Sequence, residues 1–186
     1  MMNKAQTDIA YAFVGLRRSD EDYYAGWVMN NALGQYALGG RLGDSIRERQ
    51  GMAYYVYSTL DASLAEGPLM IRAGVSAADV ERTIASIDRE LSVVRDEGLT
   101  LKELDESKSY LVGSIPRQLE TNAGIAGFLL TGEFHGLGVD HDEQLPALIG
   151  AVSLDEANRV AKRLLDPSRA AIVVAGPYQK PDAAVA

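Results

Sequence analysis

Thr7 to Leu16, TDIAYAFVGL, is a nearly continuous apolar run and predicts a buried first strand. The period then changes. Ala25, Val28, Met29, Ala32, Leu33 and Tyr36 recur at helical spacing and form the inner stripe of a helix. Ser19 is placed to cap that helix, with Asp20, Glu21 and Asp22 on its positive N-terminal dipole. Leu38-Gly39-Gly40 is placed to end it, because glycine accepts the left-handed conformation of a helix stop. A short polar helix carrying Arg47 follows and stops at Gly51. Ala53 to Leu60 and Pro68 to Val75 predict the second and third strands, joined as a hairpin across the polar turn Asp61 to Gly67.

Ser76 begins a long helical pattern in which Val80, Ile84, Ile87, Leu91 and Val94 make one apolar seam. Burying five such side chains stabilises by on the order of 10 kcal/mol before entropy is charged. Gly98 stops this helix, and Thr100 with Glu103 makes a capping box for the next. That next helix presents Leu104, Leu111, Ile115 and Leu119, with Pro116 expected to kink it near Val112. Thr121 or Asn122 restarts a helix through Phe134, Gly136-Leu137-Gly138 breaks it, and Asp142 to Ile149 predicts a short one. Ser153 caps the last helix, with Asp155 and Glu156 in its first turn. Arg169 to Ala175, RAAIVVA, predicts a final strand buried on both faces, and the Ala/Pro-rich stretch from Tyr178 to Ala186 a disordered tail.

A hairpin has no place in an all-parallel sheet, and the helices cluster together in the chain. The pattern therefore predicts an α+β fold: a two-layer sandwich, mainly antiparallel, with helices packed on one face. The whole of residues 1–177 reads as a single domain, and 186 residues suffice for a core without staples.

Composition narrows the chemistry. There is no Cys, so a disulfide framework and thiolate zinc sites are excluded. The net charge is −8, and the one basic-leaning stretch, Arg41 to Arg49, is interrupted by Asp44 and Glu48 and reads as a solvated helix face. Nucleic acid is therefore not an expected partner. No apolar run approaches the ~18 residues of a membrane span, and the first residues, MMNKAQTD, lack the apolar core of a signal peptide.

Candidate catalytic groups are few. His135 and His141 are six apart with glycines between them, whereas a zinc pair on a helix needs two histidines on one face; both read as exposed loop residues. Gly113-Ser114 lies mid-helix, where Ser bonds back to the helix backbone, and no G-x-S-x-G elbow is present. Gly34, Gly39 and Gly40 follow a helix, unlike the glycines of a dinucleotide loop, which follow a strand. There remain Arg47 and Tyr54, seven apart across a helix-to-strand turn. They can aim together at a peptide carbonyl or a developing oxyanion. They can equally be one charge on a wet helix and one half-buried sheet residue with a wet hydroxyl.

Two blocks carry a family resemblance. GGRLGDSIRERQGMAYYVYS, ending at Ser58, and Tyr110 to His141, YLVGSIPRQLETNAGIAGFLLTGEFHGLGVDH, resemble the C-terminal-type, non-zinc-binding domain of insulinase/pitrilysin-family zinc metallopeptidases. The first helix, the terminal VSLDEANRVAKRLLDPSRAAIVVAGP and the order of elements are similar too, so the resemblance covers about residues 7–177. One departure is the shortened glycine stretch at Leu38-Gly39-Gly40-Arg41-Leu42.

The resemblance implies half of a clam-shell peptidase. A partner domain or subunit bears H-x-x-E-H and the zinc; this chain has no such motif and is expected to hold no cofactor. Arg47 and Tyr54 then correspond to the family's auxiliary catalytic pair, Arg47 holding a substrate carbonyl and Tyr54 donating to the oxyanion. Peptide substrate is expected to add as an extended strand to a sheet edge of the zinc-bearing partner. The chain alone is expected to be inactive. A catalytically inactive structural or assembly subunit of the same fold is the alternative, and a homodimer is a further open arrangement. The resemblance favours a periplasmic over a cytoplasmic location.

Overall fold

The computed structural model describes residues 6–35 and 40–179. Four strands, β1 (Gln6–Val14), β2 (Ala53–Leu60), β3 (Pro68–Ser76) and β4 (Ala171–Ala175), form one open sheet in the order β2-β3-β1-β4, every pairing antiparallel. The helices are α1 (Tyr23–Asn30), α2 (Val80–Glu97), α3 (Leu101–Gln118), α4 (Asn122–His135), α5 (His141–Ala151) and α6 (Leu154–Leu164). They cover one sheet face, as the α+β pattern predicts.

The two-residue strand period sorts the sheet into an apolar inside and a mixed outside. Ile9, Tyr11 and Phe13 of β1 and Leu69, Ile71, Ala73 and Val75 of β3 are buried. Between them Asp8, Ala10 and Ala12 share the outer face with Met70, Arg72 and Gly74 in direct register. Tyr11 is fully buried, yet its hydroxyl donates to Asp88 of α2 at 2.7 Å, so the one polar atom it takes inside is partnered. Burial, and then that carboxylate, raise its phenol well above the ordinary range.

The helix punctuation follows the sequence closely. Thr100 and Glu103 close a reciprocal capping box, as do Ser153 and Glu156, and Thr121 accepts from the Gly124 amide. Gly98 ends α2 with a φ of 82° and Gly136 ends α4 with a φ of 66°, both positive values that favour glycine. Ser114 donates to the Leu111 carbonyl at 2.8 Å, the expected back-bond. α3 continues past Pro116, which lies within it, to Gln118.

Four expectations are corrected. The final strand is not buried on both faces: β4 is a terminal strand, with Ile172 42% and Val173 61% exposed, because only β1 flanks it. Ser19 does not cap α1, which begins at Tyr23. Asp20 and Asp22 instead pair with Arg163, and Asp22 also with Arg159, tying the segment before α1 to α6. Arg41 is not on a solvated face; it is half-buried against Glu103 and the Gly98 carbonyl. His141 is no exposed loop residue: it is 6% exposed and opens α5, while His135 is half-buried at the end of α4. Tyr36 and Leu38-Gly39, assigned to the first helix and its stop, lie outside the described residues, as do residues 180–186 of the expected tail. Tyr178, its first residue, packs on the core and its hydroxyl donates to Glu81.

Candidate functional site

Arg47 sits at the end of Gly43–Arg49, a segment wound with the wider π-helical turn. Its backbone is tied down on two sides. Arg41, just upstream, donates to both carboxylate oxygens of Glu103 on α3, and Ser45 donates to Glu90 of α2 at 2.6 Å. Ile46 is fully buried between these ties. The Arg47 side chain points out from that anchored turn, 41% exposed, and its ion-pair contact is a long 3.8 Å to Glu48. A guanidinium held so loosely keeps its donors available.

Gly51 reverses the chain with a φ of 63°, and the Met52 amide closes the turn on the Ile46 carbonyl at 3.1 Å. β2 then begins with a bulge. Ala53 pairs with Val75 and Tyr55 with Gly74, so Tyr54 is an extra residue with no partner on β3. Two residues, Tyr54 and Tyr55, therefore lie between the consecutive buried positions Ala53 and Val56. The bulge delivers Tyr54 to solvent at 66% exposure instead of to the core.

β2 is a terminal strand of the sheet, and a cleft of about 490 Å³ runs beside it. Gln35 and Arg47 face Tyr55 to Thr59 across that cleft. Of the two residues singled out from sequence, Arg47 lines the cleft, whereas Tyr54 stands exposed at the adjoining bulge and does not line it. Tyr57 and Gln35 do line it and carry no distinguishing signal in the sequence. Tyr55 is committed elsewhere: burial, and then its hydrogen bond to Asp8, push its phenol up to about 12. An arginine across from the edge of a terminal strand can hold the carbonyls of an extended peptide, and an exposed phenol beside it can donate a proton in a hydrogen bond.

No group of three His, Asp or Glu side chains among the described residues could hold a metal ion. His141 is occupied by Arg18, and His135 packs edge-on against Phe134 with ring centroids 4.8 Å apart. Among the described residues these donors do not converge on a zinc site.

The family model of the peptidase M16 inactive domain matches residues 1–111. The chain belongs to that family. YmxG of Bacillus subtilis strain 168, named an uncharacterized zinc protease, is 33% identical over 86% of this chain and 39% of its own length. A Helicobacter pylori relative, named a non-peptidase homolog, is 27% identical over 84% of this chain and 37% of its own. The crystal structure of a peptidase M16 inactive domain from Pseudomonas fluorescens superposes with a TM-score of 0.84 at 32% identity, covering 96% of this chain and 43% of that one. The chain thus spans about two fifths of the length of the curated relatives it matches. It is an inactive peptidase M16 domain similar to parts of proteins named zinc proteases.

Proposed function

We propose that this domain completes the substrate site of a zinc endopeptidase whose metal is held by a companion M16 domain bearing H-x-x-E-H. Arg47 holds a carbonyl of an extended peptide lying in the cleft beside β2. Tyr54 donates a hydrogen bond to the carbonyl oxygen under attack, where negative charge develops. The observation that carries this reading is the pairing of an anchored backbone with free side chains. The turn from Ser45 to Met52 is fixed, yet Arg47 and Tyr54 end in solvent beside a terminal strand. A scaffold needs neither group.

The helix layer supports a companion. α4 is apolar on every side, and among its residues only Gly132 is buried. Leu130 is 70% and Phe134 56% exposed. A helix of that composition ordinarily lies inside a larger assembly. No helix among the described residues is long and apolar enough to cross a membrane.

The test is co-expression with the companion domain and a peptide-cleavage assay. The isolated chain is expected to bind no stoichiometric zinc and to cleave nothing. In the reassembled enzyme, Tyr54→Phe is expected to lower kcat by about 10²-fold, the usual cost of one oxyanion donor, with zinc content unchanged. Stoichiometric zinc on the isolated folded chain, or an unchanged kcat, overturns the reading. The alternative, a catalytically inactive assembly subunit, is favoured by one finding, the non-peptidase designation of the Helicobacter pylori relative. It is selected if the reassembled pair folds, carries zinc and cleaves no peptide.

A further inference from the structure

Arg18 differs from the other partly buried arginines. Among the described residues Arg41 and Arg95 are also half-buried, and each lies within ion-pair distance of a carboxylate. Arg18 is half-buried without one among the described residues. Its backbone is fixed by a hydrogen bond from its amide to the Ser63 carbonyl at 2.8 Å. Its guanidinium lies 3.9 Å over the Tyr23 ring centroid, and Nη2 contacts the Tyr24 hydroxyl at 3.0 Å and His141 Nε2 at 3.3 Å. Arginine has no acceptor, so His141 Nε2 must accept, which requires the neutral tautomer with its proton on Nδ1. Burial, and then the Arg18 charge, hold the imidazole below its ordinary pKa, while Asp142 and Asp140 pull it up less strongly. The cation is therefore faced by two aromatic rings, one hydroxyl and one uncharged imidazole.

These groups open into a cavity of about 430 Å³ between α1, α4 and α5. That size is within the range of small-ligand pockets. Trp27 and Phe128 supply aromatic walls and Leu145 an aliphatic one. α4 offers bare backbone there: Gly127 lines the cavity, and a Cβ built on it meets nothing within 4 Å. The cavity shares no lining residue with the cleft beside β2.

We propose that this pocket binds a small apolar carboxylate, aromatic by preference, with its carboxylate on Arg18 and its body between Trp27 and Phe128. One planar fork matches one planar anion, and a single uncompensated positive charge balances a single negative one. The apolar walls disfavour a fully hydrated anion such as inorganic phosphate. Nothing in this inference depends on the peptidase reading, and its failure leaves that reading untouched.

Trp27 is the only tryptophan in the chain, so intrinsic fluorescence reports from the wall of the pocket itself. The experiment titrates the full chain with N-acetyl-L-phenylalanine and, separately, with its amide, which has the same body and no charge. A saturable Trp27 change is expected with the acid, and binding at least about tenfold weaker with the amide, as loss of a charge-assisted pair predicts. Arg18→Gln is expected to weaken the acid by a similar factor and to leave the amide unaffected. Gly127→Leu, which places a side chain in open cavity space, is expected to abolish both. The proposal is overturned by no saturable change in the wild-type chain, by equal binding of acid and amide, or by full binding in Gly127→Leu with an intact thermal transition. The acid-against-amide comparison needs no variant and decides the matter even where a substitution fails to fold.

Discussion

The Tyr55 hydroxyl donates to Asp8 Oδ1 at 2.5 Å, and the two residues lie on strands that do not touch. Gly74 of β3 stands between them, in register with both. The tyrosine ring crosses the sheet over that glycine: a Cβ on Gly74 would come within 2.4 Å of the ring. The row Tyr55–Gly74–Asp8 thus braces the outer face next to the bulge that presents Tyr54. Gly74→Ala is expected to destabilise the domain by about 1–3 kcal/mol through overpacking, and Tyr55→Phe by about 1 kcal/mol through the lost hydrogen bond. Urea unfolding of the two variants measures both.

The same pair gives a pH signature at the alkaline end. Because the folded-state pKa of Tyr55 is raised to about 12 from an ordinary 10.0, folding retains its proton. The associated stability is fully present below pH 10 and is lost as pH rises through about 12. The stability gap between wild type and Tyr55→Phe is therefore expected to shrink over that window. Paired urea melts at several alkaline pH values read the gap, and the comparison cancels the contribution of the other tyrosines.

At the acid end the reporter is Glu103. Burial pushes its carboxyl up, but its bonds to Arg41 and Thr100 more than offset that and hold it below its ordinary 4.5. Its contribution is present above that value and is lost as pH falls through the depressed folded-state pKa. Glu103→Gln is expected to cost about 1–2 kcal/mol at neutral pH and progressively less in acid. Since Arg41 leads into the segment carrying Arg47, hydrogen exchange of Gly43–Arg49 is expected to quicken in this variant at neutral pH.

Gly51 tests the geometry of the turn separately from its contacts. A Cβ there meets no atom within 4 Å, so any effect of Gly51→Ala comes from its φ of 63° alone. The expected cost is about 1 kcal/mol. In the reassembled enzyme the same change is expected to lower kcat, because the turn sets where Tyr54 stands relative to Arg47.

Arg47 and Tyr54 are expected to separate kinetically. In the proposed site Arg47 would hold a carbonyl in both ground and transition states, so Arg47→Gln is expected to raise KM with a small change in kcat. The Tyr54→Phe loss falls on kcat. Steady-state kinetics on the two variants distinguishes the roles.

The fold was largely legible because its determinants are local. Capping boxes at Thr100 and Ser153, stops at Gly98 and Gly136 and the apolar seam of α2 each rest on neighbours in the chain. What escaped is set by distant partners. The start of the first helix differs from its sequence pattern because Asp20 and Asp22 answer to Arg159 and Arg163 on α6, far along the chain. β4 reads in the sequence as buried on both faces because an apolar run cannot reveal that one flank is missing. Arg47 and Tyr54 could be chosen from spacing and resemblance, but the bulge that exposes Tyr54 depends on register with β3, which spacing does not encode. Arg18, Trp27 and His141 come together from three separate segments and leave no motif at all.

The topology also dictates an order of assembly. Of the four strands Gln6–Val14 is made first, yet it ends as an inner strand whose second flank, Ala171–Ala175, is the last of the four. Until Asp8 meets Ala175, a long row of backbone donors and acceptors on the first of the four strands lies open, and the closing contact joins the first strand to the last. The nascent chain therefore carries a sticky strand edge until that last strand is made. A chain shortened before that final segment would keep that edge permanently and is bound to self-associate or to recruit a chaperone.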